Sequence, residues 1–102
     1  LEPVNQGGET FGGKVHILVF GTIPPCVPCY QAEQIAREAA ASYPEGWVVV
    51  EKLEAWSDMG KRLNISLTPA IAVNGKVLAM GRIVPLDELR KTIDDVIHDQ
   101  RK

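Results

Sequence analysis

Two apolar, β-rich segments separated by one helix-forming stretch constrain this chain more than any other feature. Lys14 to Phe20, KVHILVF, is β-branched and aromatic, and apolar on both alternating faces. That pattern predicts a central strand covered on both sides. His16 is the exception within it and reads as structural rather than as a ligand or base. From Pro28 to about Ser42 the composition favours a helix. Cys29, Ala32, Ala36, Ala39 and Ala40 share one face, with Gln31, Glu33, Gln34, Arg37 and Glu38 mostly on the other. Pro44 and Gly46 end it. Trp47 to Leu53, WVVVEKL, reads as a second strand. A strand, a helix and a strand in this order make a βαβ unit, with parallel strands and a right-handed crossover.

The rest of the chain supplies smaller elements. A short helix is expected from Asp58 to Leu63, with Ser57 as its N-cap and Asn64 at its end. Asn74-Gly75 lies between two apolar runs, a hairpin signal that pairs Ala70 to Val73 with Lys76 to Met80. A final helix begins near Pro85, with Leu86, Leu89, Ile93, Val96 and Ile97 as its buried stripe. Arg101-Lys102 suit the C-terminal end of its dipole. The predicted class is α/β, in the order β-α-β-α-β-β-α, a central four-stranded mixed sheet flanked by helices.

A length of 102 residues suits one domain, expected over 14–102, and 45% apolar residues suffice for a real core. Residues 1–13, LEPVNQGGETFGG, are rich in glycine and read as a flexible arm or linker. The formal net charge of -2 has acids and bases interspersed. Neither a basic stripe for nucleic acid nor an acidic tail is present. The longest apolar runs, such as Ile17 to Phe20, are too short to span a membrane. Asn64-Ile65-Ser66 matches a glycosylation acceptor, which has meaning only in a secretory context. With no signal-peptide pattern the cytoplasm is the expected compartment. Because the chain opens on Leu1 rather than Met, a removed targeting segment stays open.

Both cysteines of the chain lie in one stretch, PPCVPCY, Pro24 to Tyr30. Two thiols spaced C-x-x-C can form a redox pair, half of a metal site or a structural staple. The staple is the weakest reading, because so small a loop hardly restricts the unfolded chain. Structural zinc normally takes about four ligands, and the further candidates, His16 and His98, stand in distant segments. A bridged dimer using two C-x-x-C pairs is the form in which metal binding or delivery stays open.

A C-x-x-C at a strand-to-helix junction inside a βαβ unit resembles the thioredoxin-like superfamily. The resemblance extends over roughly residues 14 to 98. It includes the element order, Thr68-Pro69 directly before an antiparallel strand, where that superfamily carries a cis-proline, and the hairpin followed by Gly81. The chain departs from thioredoxin itself at three places. Pro25 stands for a Trp before the first cysteine, Val27 for the Gly between the cysteines, and Phe20 for a buried Asp. Its length is closer to a glutaredoxin, although the Gly-Gly and acidic glutathione contacts are absent from AMGRIVPLDEL. TPAIAVNGKVLAMGR is similar to the electron-relay domains of hydroperoxide reductase flavoproteins.

The resemblance implies a thiol–disulfide oxidoreductase that reduces protein disulfides. Cys26, just outside a helix start, is cast as the nucleophile, since unpaired N–H groups and the helix dipole favour a thiolate there. Cys29, one turn in, is cast as the resolving thiol. Pro28 presets helical φ without losing a hydrogen bond. Pro25, Val27 and Gly81 count as supporting residues, and Thr68 would present backbone to an extended substrate segment with Pro69 beside Cys26. Trp56 reads equally as a docking platform or as cap packing, and Tyr30 is a weaker candidate. Lys52 falls where thioredoxins keep a lysine under the active site, but reads as an exposed strand residue. The redox-active disulfide Cys26–Cys29 is the expected prosthetic element, with no added cofactor or metal. The expected partners are a disulfide-bearing protein and a disulfide reductase, acting on a monomer. A redox module of a larger protein is the alternative setting for the same chemistry. The absence of charge within C-V-P-C points to a couple nearer thioredoxin, about -270 mV, than DsbA, about -120 mV.

Overall fold

The structure is a computed structural model and describes residues 14–22 and 27–100. The elements are β1 (Val15–Gly21), α1 (Val27–Ala41), β2 (Val48–Glu54), α2 (Asp58–Arg62), β3 (Ala70–Val73), β4 (Lys76–Met80) and α3 (Leu86–Gln100). The arm at 1–13 and the Arg101-Lys102 end lie outside the described residues, as do Pro25 and Cys26.

The four strands form one sheet in the order β2-β1-β3-β4. β1 pairs with β2 in parallel, from Val15 opposite Val48 to Gly21 opposite Glu54. Both strands run one residue later than the sequence suggests. The register explains the shift, because the two strands start and stop together and the Ala55 N–H then closes on the Gly21 carbonyl at 3.1 Å. Trp47 is correspondingly a turn residue; its N–H donates to the Pro44 carbonyl and its carbonyl accepts from the Val15 N–H. On its other side β1 pairs antiparallel with β3, and β3 with β4. Asn74 and Gly75 have φ of 52° and 81°, the left-handed pair that a two-residue hairpin turn requires. The Asn74 side chain also accepts from the His16 N–H at 2.7 Å, tying the turn to β1.

α1 and α3 cover one face of the sheet. There Val15, Ile17 and Val19 of β1 meet Ala32, Ala36 and Ala39 of α1 and Leu89, Ile93 and Ile97 of α3. Alanines on α1 let its backbone lie close to the strands. Ala40, Leu86 and Val96 are only partly buried, at the margins of the two stripes. The opposite face carries a smaller core of Phe20, Ala70 and Ala72, covered by Met59, Leu63 and Ile65 from α2 and its exit. α2 is short, and its ends explain why it forms. The Ser57 hydroxyl accepts from the Gly60 N–H at 3.2 Å. At the other end Asn64, at φ 59°, and Ile65 donate back to the Lys61 and Gly60 carbonyls, a Schellman closure.

The turn after α1 is fastened to α3 by Tyr43. Its hydroxyl donates to the Asp94 carboxylate at 2.6 Å and lies 3.1 Å from the Arg90 carbonyl. Partial burial, then the hydrogen bond and negative charge of Asp94, push the phenol up to about 12 from 10.0. The folded state therefore disfavours tyrosinate. The contribution of this contact is complete below pH 10 and is lost as pH rises toward 12. Tyr43→Phe is expected to lower stability at neutral pH by about 1 kcal/mol. It is also expected to flatten the alkaline fall in stability, both read by urea unfolding across pH.

Candidate active site

The site forms where β1 ends. Gly21 is its last residue and faces the first turn of α1, on the same side as Val15, Ile17 and Val19. A Cβ built on Gly21 would stand 3.2 Å from the Cys29 Cβ and 3.4 Å from its Sγ. A side chain at residue 21 would press on Cys29 and oblige it to shift by a few tenths of an ångström. The Cys29 side chain is fully buried between helix and strand, whereas Val27 and Tyr30 of the same turn are 71% and 56% exposed. Pro28 is exposed in the first turn of α1, where its missing N–H leaves no helical bond unmade. Cys26 directly precedes the helix in sequence; its expected role as nucleophile, like the supporting role of Pro25, falls on residues outside those described.

The second side of the site comes from the antiparallel neighbour. Phe20 pairs with Ala70, so one further step along the register brings Pro69 level with Gly21. The Thr68–Pro69 peptide is cis, and Pro69 is buried while Thr68 is partly exposed. Gly81 holds this turn. Its N–H donates to the Pro69 carbonyl at 2.8 Å, its φ is 81°, and a Cβ there would meet Leu67 Cδ1 at 3.1 Å. Ser66 adds a further tie, with its N–H and hydroxyl each 3.4 Å from the Met80 sulfur.

The expected site residues that are described gather at one end of the sheet. Cys29, Val27, Pro28, Thr68, Pro69 and Gly81 all belong to the end of the sheet where β1 stops. Trp56, in the turn after β2, opens at the same end and is 54% exposed. It lines a groove with Ala55, Gly60, Lys61, Asn64, Ile65 and Ser66. Leu67, 59% exposed, completes an apolar rim that the sequence reading overlooked; its only signal was an apolar residue directly ahead of Thr68-Pro69. His16 and His98 are exposed, at the start of β1 and near the end of α3. Among the described residues no three His, Cys, Asp or Glu side chains come together as a metal site.

Lys52 corrects an expectation. Rather than an exposed strand residue, it is partly buried on the α1 side of β2, with its Nζ 3.6 Å from Glu33 Oε1. Glu33 is also bound by Arg37 at 2.9 Å. Phe20 points to the opposite face, fully buried in the smaller core. Glu33 and Gly21 were missed because a polar helix residue and a strand-end glycine carry no signal until the register sets them beside Cys29.

Gly81→Ala is expected to cost about 1–2 kcal/mol from the left-handed backbone alone, and the crowding of Leu67 adds to this. Loss of stability in urea, together with faster exchange of the residue-81 amide than in the parent, is the expected result; unchanged values would contradict the assigned role.

The family model described as "Thioredoxin domain" matches residues 14–94. No curated protein sequence matches the chain. Among solved structures, it is similar to chloroplastic thioredoxin z, with 19% identity, a TM-score of 0.65, and coverage of 84% of this chain and 80% of that one. The oxidised thioredoxin of Plasmodium falciparum shares 20% identity, with a TM-score of 0.59 and coverage of 85% of each chain. The germline-specific thioredoxin Deadhead of Drosophila melanogaster shares 19% identity, with a TM-score of 0.62 and 83% of each chain covered. These likenesses concern the fold. With a family match over most of its length, on the sheet order and helix placement described above, the chain belongs to the thioredoxin-domain family.

Proposed function

We propose that the protein is a thiol–disulfide oxidoreductase that reduces disulfides of other proteins through Cys26 and Cys29. The observation that carries this reading is the placement of Cys29: a fully buried cysteine on the first helical turn, seated on Gly21, with cis-Pro69 level with the same residue. A cysteine there is shielded from solvent oxidants yet within one helical turn of Cys26 in sequence.

In the proposed cycle the Cys26 thiolate attacks one sulfur of the client disulfide. The client's other sulfur leaves as a thiolate and a mixed disulfide forms on Cys26. Cys29 then loses its proton and attacks the Cys26 sulfur. The Cys26–Cys29 disulfide forms, and the client departs as a second thiolate, now fully reduced. A disulfide reductase returns two electrons to the pair, so no added cofactor is needed. The client approaches as an extended segment laid beside Thr68. The exposed apolar side chains of Val27, Tyr30, Trp56 and Leu67 supply its contact area. The protein acts as a monomer in the cytoplasm. As an electron-relay module of a larger reductase it would run the same exchange with a tethered domain as client.

Cys29→Ser is expected to arrest the exchange at the mixed disulfide, so that client proteins stay attached to Cys26 and are released by dithiothreitol. Cys26→Ser is expected to trap none. Equal trapping by the two variants would contradict the assigned roles, and trapping by neither, with insulin reduction intact, would remove the reading.

A further inference from the structure

We propose that the groove beside Trp56 selects clients by charge: it takes an extended segment with an acidic residue a few positions from the attacked cysteine, and Lys61 reads that acid. The inference rests on the reading of the protein as a reductase of protein disulfides, and it names the class of disulfide taken. The groove is formed by the turn after β2, by α2 and by the chain leading to the cis peptide. Trp56, Ala55 and Ile65 supply its apolar surface, and Trp56 is 54% exposed, so its ring is open to contact. The groove continues the client's path. Ser66 lines it, the exposed Leu67 follows, and Thr68 begins the cis peptide. Ser66 stands two positions ahead of Thr68, roughly 7 Å of extended chain. A client segment laid along Thr68 therefore reaches the groove about two to four residues from its cysteine.

Charge decides which segment fits. Among the described residues, Lys61 is the one ionisable side chain that lines the groove. It is exposed and makes no ion pair among the described residues, where Glu33 is taken by Arg37 and Lys52, and Glu88 by Arg82. Asp58 and Arg62 of α2 are exposed outside the lining, and their charges offset one another. The remaining polar groups differ in what they can offer. The N–H and hydroxyl of Ser66 are both directed to the Met80 sulfur. The Asn64 side chain, exposed just past α2, supplies amide hydrogens. An ammonium, an amide and an aromatic wall suit a carboxylate on a partly apolar chain, and they disfavour a lysine or arginine in the same place. The cleft on the other side of the turn is lined by both Lys52 and Glu54. It carries both signs and cannot discriminate in this way.

The test uses the intact, reduced protein and peptides of one sequence. Each peptide has a single cysteine held as a mixed disulfide with thionitrobenzoate, and carries Glu, Gln or Lys at the third residue on both sides of it. The Cys26 thiolate attacks the peptide sulfur, thionitrobenzoate leaves with the bonding electron pair, and its absorbance gives the rate. With the parent protein the Glu peptide is expected to react about 5–10-fold faster than the Lys peptide at low salt, with Gln between them. Added salt is expected to shrink that ratio toward one. Lys61→Gln is expected to bring the ratio near one, and Lys61→Glu to invert it. Arg62→Glu makes the same change of charge one residue on, outside the groove, and is expected to keep the Glu peptide ahead. Each ratio is taken within one protein, so any general effect of a substitution on the thiols cancels, and circular dichroism checks folding. A parent ratio near one, or an inversion by Arg62→Glu as large as that by Lys61→Glu, would overturn the proposal. A dimer in sedimentation that Lys61→Glu dissociates would give the groove to a second copy and overturn it as well. Failure of the underlying reading has a different signature. The peptide would then stay attached to Cys26 and never be released by Cys29, while the ratio of attack rates still decides the role of Lys61.

Discussion

The double pairing of β1 is the constraint on which the site depends. Bonded in parallel to β2 and antiparallel to β3, this strand is covered on both faces and has no freedom to slide. A slip of one residue would turn Val15, Ile17 and Val19 away from the helices and bring Phe20 toward them. Fixing the register also fixes where the strand stops, and Gly21 is that point. The parallel neighbour ends beside it at Glu54, and the antiparallel neighbour begins at Ala70, directly after Pro69. The first turn of α1 can then settle onto Gly21, because no side chain intervenes. Three chain segments far apart in sequence meet at one strand end, which is where α/β sheets ordinarily place their ligands.

The apolar rim and the buried sulfur position follow from the same arrangement. Val27 and Tyr30 point outward from the turn that buries Cys29, since neighbouring helical residues cannot share a face. Trp56 and Leu67 flank them from turns that leave or enter the sheet at this end. Gly81 and Gly60 serve the packing at one remove. The first accommodates Leu67 beside the cis peptide; the second sits so close to the Ala55 carbonyl that no side chain fits. The chemistry proposed for the site thus rests on backbone placement more than on any cluster of charged groups.

Much of this was legible in the sequence, for identifiable reasons. The Asn74-Gly75 hairpin came out to the residue because turn chemistry dictates both its position and its register. Ser57 and Asn64 marked the ends of α2 because caps are local. Strand ends were displaced by one residue, since they are decided by the partner strand rather than by the segment itself. β4 also carries an extra residue, Leu78, between Val77 and Ala79, which hydrophobic pattern alone does not reveal. Of the site, the C-x-x-C and Thr68-Pro69 were visible as motifs. Gly21, Glu33 and the true surroundings of Lys52 were not, because each acquires meaning only through a tertiary neighbour.

The fold is shared with the thioredoxin structures at about one identical residue in five. Phe20 lies in the apolar core on the far face of the sheet, and the ion pair of Glu33 and Lys52 lies on the near one. Neither places a full positive charge within C-V-P-C itself. The most direct test of the account is a redox equilibrium of the intact protein in dithiothreitol or glutathione buffers, with thiols counted by alkylation and mass. The account predicts that Cys26 and Cys29 oxidise together in one two-electron transition near -270 mV, roughly the thioredoxin value. A midpoint above about -160 mV, or two thiols that fail to titrate as a pair, would contradict it.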